Sequence, residues 1–252
     1  MKTYLNIPYG GEEGQLFDLY LPDDTGSVKH VAVWFFGGGI ENGKKEDNAF
    51  LAESLTEKGI ALCLPNYRLM PKVAYPAFIE DAALSVRGLS DFLKTLSINA
   101  DITIGGSSAG AYLSLMLCFD RHYFENVGLS SDDIHAYFFN SGQPTAHFNV
   151  LKNRGIDARR VIIDETSALF YVDEGLPHRP MLILTAENDI PSRVTQNILL
   201  KETLLRFGLE ENLIRMEILK GYGHCGYDRE KNKTGEYILV DYLVKLINSF
   251  DE

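Results

Sequence analysis

Asp101-Ile102-Thr103-Ile104-Gly105-Gly106-Ser107-Ser108-Ala109-Gly110 is followed without a break by Ala111-Tyr112-Leu113-Ser114-Leu115-Met116-Leu117-Cys118-Phe119. The first four residues read as a short buried strand ending in a glycine pair, and the last nine read as an apolar helix. Between them lies Gly106-x-Ser108-x-Gly110. A serine hydroxyl is a poor nucleophile, and it reacts only where a base reaches it. A sharp strand-to-helix turn exposes it in that way, and flanking glycines give the backbone room to make the turn. The helix that follows aims its free N–H groups and positive dipole end at the same point. Ser107 is the rival nucleophile, but it has Gly105 and Ala109 around it rather than two glycines. Ser108 is the candidate.

Outward from this turn, strand and helix patterns alternate. Gln15–Leu21 alternates polar and apolar residues as a half-buried strand does, and stops at Pro22. Val31–Phe36 is a continuous apolar run, the pattern of a strand covered on both faces. Asn48–Lys58 reads as a helix ended by Gly59, Ile60–Leu64 as a buried strand, and Phe78–Leu96 as a helix with Pro76 close to its start. In the second half, Ala136–Phe139, Met181–Thr185 and Ile214–Leu219 read as strands, the last nearer an edge. Thr195–Phe207 and Tyr237–Phe250 read as helices. Antiparallel-looking strands followed by βαβ units predict one mostly parallel sheet with helices on both faces, in a single domain over residues 1–252.

Bulk properties agree with an enzyme of this kind. The 252 residues, 45% of them apolar, suffice for one large α/β core. Thirty-five acidic against 24 basic residues give a net charge of −11, which argues against nucleic acid and anionic membrane surfaces as partners. Three cysteines lack metal-ligand spacing, and Cys63 and Cys118 sit in apolar runs as core residues do. The N-terminus has no hydrophobic signal region and no apolar run approaches transmembrane length, so a soluble, cytoplasmic protein is expected.

In an open parallel sheet the ligand crevice lies beyond the carboxyl ends of the strands. Three further features fall there. Gly37-Gly38-Gly39 follows the Val31–Phe36 strand, and a glycine triplet lets backbone N–H groups approach a substrate closely. Asp189 follows Met181–Thr185, and His224, in Gly221-Tyr222-Gly223-His224-Cys225-Gly226, follows Ile214–Leu219. Alone, each has a plain reading as a turn former or loop residue. Together Ser108, Asp189 and His224 occur in the order nucleophile, acid, histidine, each at a strand end. His147 and His178 remain alternatives for the histidine.

With Asn66-Tyr67-Arg68-Leu69-Met70-Pro71, Tyr75-Pro76-Ala77 and Glu80-Asp81 added, this ordered set resembles the α/β-hydrolase esterases and lipases. It is closest to small bacterial carboxylesterases related to hormone-sensitive lipase and to feruloyl and acetyl esterases. The resemblance runs from about Gln15 to the C-terminus. It implies an α/β-hydrolase fold with an eight-stranded sheet, and hydrolysis of a small-molecule ester through an acyl-enzyme. By position it implies Ser108 as nucleophile, Asp189 as acid and His224 as base, with Gly38, Gly39 and Ala109 as oxyanion donors. Arg68 would brace its loop rather than touch substrate. No metal or organic cofactor is expected, and the sequence leaves the oligomeric state open. Two departures stand out. The family usually carries histidine where Phe36 precedes the glycines, which puts the oxyanion loop in question. The short stretches before Val31 and between Phe139 and Met181 leave space for a small cap at most. A peptidase or amidase on the same residues, and a non-catalytic binding protein, are the alternative readings.

Overall fold

The computed structural model describes residues 1–249. Its strands are β1 (Lys2–Pro8), β2 (Leu16–Leu21), β3 (His30–Phe35), β4 (Ile60–Pro65), β5 (Asp101–Ser107), β6 (Ala136–Asn140), β7 (Met181–Asn188) and β8 (Ile214–Gly223). The helices are α1 (Leu51–Glu57), α2 (Ala77–Thr95), α3 (Ala109–Phe119), α4 (His122–Glu125), α5 (Phe148–Asn153), α6 (Arg193–Arg206) and α7 (Ile238–Asn248). All eight strands join one sheet in the order β1-β2-β4-β3-β5-β6-β7-β8. The pairs β1–β2 and β2–β4 are antiparallel, and every pair from β4–β3 to β7–β8 is parallel.

The continuous apolar run of β3 is explained by what lies on either side of it. Val31, Val33 and Phe35 join a core cluster with side chains from α2, α3 and α6. Ala32 and Trp34 turn to the opposite face, where α1 and α7 pack. A strand alternates its side chains, so burial on both sides demands an apolar residue at every position. Trp34 meets Phe138 of β6 edge-on, with ring centroids 5.2 Å apart. In β8, by contrast, only Ile214 is buried and exposed and part-buried residues fill the rest, as expected for a strand at the edge of the sheet.

Several boundaries differ from the expectations, and those of β7, β8 and β5 matter for the site. β7 continues to Asn188 and β8 to Gly223, beyond the apolar runs that announced them, so Asp189 and His224 each follow the last strand residue directly. β5 continues through both glycines to Ser107, because Gly105 and Gly106 stay in register with Phe138 and Phe139 of β6. The predicted helix Asn48–Lys58 splits into a 3-10 turn at Lys45–Asn48 and α1. The expected C-terminal helix is found as α7, and Phe250 lies outside the described residues. Among the described residues, no helix is long and apolar enough to cross a membrane.

Candidate active site

Ser108 stands between β5 and α3 with φ 55° and ψ −110°. This backbone conformation is costly for a residue with a Cβ and persists only where its surroundings hold it. Those surroundings are close. A Cβ on Gly110 would lie 2.0 Å from the Phe35 carbonyl oxygen, and one on Gly106 would lie 2.5 Å from the Gly110 carbonyl carbon. The two motif glycines thus let the turn press against the end of β3. The Ser108 amide donates to the Asn140 carbonyl at 2.8 Å, and the Tyr112 amide donates to the Ser108 carbonyl at 3.0 Å as α3 begins.

Two neighbouring strand ends complete a hydrogen-bonded chain. Ser108 Oγ lies 2.7 Å from His224 Nε2, and His224 Nδ1 lies 2.5 Å from Asp189 Oδ1. The Asp189 side chain is fully buried, while a quarter of the His224 side chain is exposed. Asp189 Oδ1 also accepts from the Ile190 amide, and Oδ2 accepts from the hydroxyls of Ser141 at 2.8 Å and Thr185 at 3.1 Å. Burial works to raise the Asp189 pKa. The bond and charge of His224, with the Ser141 and Ile190 donors, outweigh it and hold the carboxyl at about 2. An ionised Asp189 fixes the proton on Nδ1 and leaves Nε2 to accept from Ser108.

The glycine loop forms the facing wall. Gly37, Gly38 and Gly39 line a cleft of about 830 Å³ together with Ser108 and His224. Gly38 sits at φ 112°, and a Cβ there would collide with the Asn42 carbonyl oxygen at 2.1 Å. The carbonyls of the loop are engaged, Gly38 by the amides of Glu41 and Asn42 and Gly39 by Asn149 Nδ2 at 2.7 Å. The amides of Gly38, Gly39 and Ala109 donate no hydrogen bond to another described residue. Phe36 does not leave this loop unsupported. Its ring stacks on Tyr67 with centroids 4.2 Å apart, and the Tyr67 hydroxyl donates to the Phe36 carbonyl at 2.8 Å. Arg68 grips the buried Asp81 through its side chain and its amide, as expected of a brace.

The remaining candidates fall away from the chain of contacts. Ser107 donates its hydroxyl to Asp228 Oδ2 at 2.7 Å and accepts from Asn140. His147 is buried, and burial with the nearby Arg193 and His224 holds its pKa at about 3. Its Nδ1 accepts the Asn149 amide at the start of α5. His178 is exposed and lines no part of the cleft. Cys63 and Cys118 are core residues, and burial pushes the thiol of Cys225, next to His224, well above its usual range.

Sequence reasoning missed one group. Asp228, four residues after His224, accepts from Ser107 and from Asn140 Nδ2 at 2.9 Å. Tyr227 donates to Asn140 Oδ1 at 2.6 Å and lies 3.2 Å from Ser141 Oγ, which donates to Asp189. This polar net ties the His224 loop to the ends of β5 and β6. Its one signal in the sequence is the nearness of Tyr227-Asp228 to His224. A separate group, His30, Asp101 and His135, brings potential metal-ligand atoms within 4.8 Å of one another, at the amino ends of the strands and remote from Ser108.

Comparison with known proteins places the fold. The structure superposes on the truncated form of a carbohydrate esterase from gut microbiota with a TM-score of 0.77, covering 98% of this chain and 96% of that one at 17% identity. It superposes on a Thermogutta terrifontis esterase solved with butyrate bound with a TM-score of 0.75, covering 97% and 91% at 18% identity. The fold is that of the α/β-hydrolases. In sequence, kynurenine formamidase of Salmo salar is 29% identical over 116 residues, 46% of this chain and 38% of that protein. The chain spans less than two fifths of the length of the curated relatives it matches. The BD-FAE family model matches residues 17–150. That stretch is over half of the chain and holds β2 to β6, the glycine loop and Ser108, so the chain belongs to the BD-FAE family.

Proposed function

We propose that this protein is a serine hydrolase that cleaves short-chain carboxylic esters of small molecules through an acyl-enzyme. Ser108 attacks the ester carbonyl while His224 takes its proton, and His224 returns that proton to the leaving alcohol. Water then attacks the acyl group by the same route, releasing the acid and restoring Ser108. Asp189 holds the imidazole tautomer and stabilises the imidazolium. The amides of Ala109, Gly38 and Gly39 receive the developing oxyanion, each donor contributing roughly 3 kcal/mol.

The observation that carries this reading is the unbroken hydrogen-bond chain Ser108–His224–Asp189, beginning at a serine with strained backbone and opening onto a cleft. A binding protein would have no need of that strain. The kynurenine formamidase likeness favours a second reading, in which the same residues cleave a formamide or another amide.

A fluorophosphonate probe tests the activated serine without assuming a substrate. Labelling maps to Ser108, and Ser108→Ala abolishes both labelling and hydrolysis of p-nitrophenyl acetate. Labelling of another serine, or full activity in Ser108→Ala, refutes the proposal. Comparing phenyl acetate with acetanilide and formanilide separates the ester reading from the amide reading.

A further inference from the structure

Beside the cleft lies a second cavity of about 370 Å³, and Phe148 and Ile190 line both. The second cavity has an unusual charge for this protein. Among the described residues, Arg159, Arg160 and Arg193 line it and no carboxylate does, in a chain whose acidic residues outnumber its basic ones by 35 to 24. The main cleft is lined instead by Glu41, Asp47 and Asp228, with Arg229 opposite them in charge.

Arg193 is the informative member. It is 2% exposed, and its guanidinium donates to the Ser141 carbonyl and to Gln143 Oε1 at 3.1 Å. These two bonds leave further N–H donors, since a guanidinium has five. Burying a cation without a bonded anion is expensive. The nearby Asp189 offsets part of that cost through its field, but both oxygens of Asp189 are already occupied by His224, Ile190, Ser141 and Thr185. On the rim, Arg159 is paired with Asp157, and Arg160 makes no ion pair among the described residues. One buried arginine and one exposed arginine without an ion pair therefore line a cavity that adjoins the cleft of the nucleophile and has apolar walls at Val161, Pro191 and Ile190.

We infer that this cavity is an anion subsite, and that the favoured substrates are esters carrying a carboxylate a few atoms from the scissile bond. Building on the esterase reading above, it assigns the cavity a role in substrate choice. The charged end of the substrate passes Phe148 and Ile190 to reach Arg160 and Arg193. It is drawn there and away from Glu41, Asp47 and Asp228. Guanidinium–carboxylate pairing is directional and strong where water is excluded.

Two matched pairs of esters test the inference, one for each side of the scissile bond. On the acyl side, the mono-p-nitrophenyl ester of adipic acid is compared with p-nitrophenyl hexanoate. On the alcohol side, para-(carboxymethyl)phenyl butyrate is compared with its para-(carbamoylmethyl) amide. We expect the carboxylate to be preferred in kcat/KM by about threefold or more in at least one pair, which also identifies the side. Arg160→Ala and Arg193→Gln should each reduce that ratio, and added salt should reduce it through the exposed Arg160. If Arg193→Gln does not fold, Arg160→Ala carries the test. A preference below threefold in both pairs overturns the inference, and so does a preference that neither variant changes. In those cases hydrolysis of the neutral esters leaves the esterase reading standing. Failure to cleave any of the four esters overturns both.

Discussion

Tyr67 and Phe36 lock the start of the glycine loop to the end of β4, with rings stacked at 4.2 Å and the tyrosine hydroxyl bonded to the Phe36 carbonyl at 2.8 Å. Where the resembled family uses a histidine, this chain uses an aromatic pair and one buried hydrogen bond. Tyr67→Phe keeps the stacking and removes the donor, leaving a buried carbonyl without that partner. It should cost about 1–3 kcal/mol of stability and lower kcat more than it raises KM. Denaturant melts and steady-state kinetics on one short ester check both parts. Unchanged kcat would show that the oxyanion loop does not depend on this bond.

Ser107 and Ser108 separate by role. Ser107→Ala should keep substantial activity, because its hydroxyl faces Asp228 and Asn140 rather than His224. It should still lose about 1–3 kcal/mol of stability, since Asp228 gives up one of its two side-chain donors. Activity and thermal unfolding of the purified variant measure the two effects independently. Loss of activity equal to that of Ser108→Ala would reopen the choice of nucleophile.

Among the histidines, His224→Ala should remove most of the rate and His178→Ala very little. His147 should show itself in stability. Its folded pKa is depressed from 6.5 to about 3 by burial, then by Arg193 and His224. A depressed folded pKa means that the stabilisation is fully present above pH 6.5. It is lost as the pH falls from there towards 3, because the unfolded chain binds the proton first. Urea unfolding should therefore weaken progressively below about pH 6.5, and His147→Gln should flatten that slope. An unaltered slope in the variant would assign the acid sensitivity to other groups.

Asp189 adds an effect at lower pH. Its carboxyl, lowered from 3.8 to about 2, contributes stability present above pH 3.8 and lost as the pH falls through 2. Across the neutral range it stays ionised and holds the His224 imidazole by its Nδ1. Asp189→Asn should lower kcat by orders of magnitude, because it no longer selects the Nδ1–H tautomer. A pH–rate profile that keeps both height and shape in this variant would remove Asp189 from the mechanism.

Acyl length gives a further expectation. A lipase meets an interface with a large apolar surface shielded by a lid, and residues 141–180 between β6 and β7 leave room for a small lid at most. Across p-nitrophenyl esters from acetate to palmitate, kcat/KM should peak at acetate or butyrate, with no jump above the solubility limit. A maximum at palmitate would refute the short-chain reading.

The sequence by itself determined what local physics controls. Alternation and apolar runs marked β2 to β8, since period two and burial on both faces leave direct marks on composition, while β1, mostly exposed, carries no such mark. The turn at Ser108 was legible because only glycine tolerates the contacts made at Gly106 and Gly110. The order of Ser108, Asp189 and His224 was readable for the same reason, as each follows a strand. The strand ends at Asn188 and Gly223 were less clear, because edge and crevice positions need not be apolar. Tertiary structure alone decided the rest. Asp228 reaches Ser107 across 121 residues, Tyr67 reaches Phe36 across 31, and Arg193 reaches Ser141 across 52. Such bonds form between residues with no periodic relation in the chain, so no sequence pattern records them. They exist because the sheet order brings distant strand ends together at one crevice, where buried polar groups must find partners.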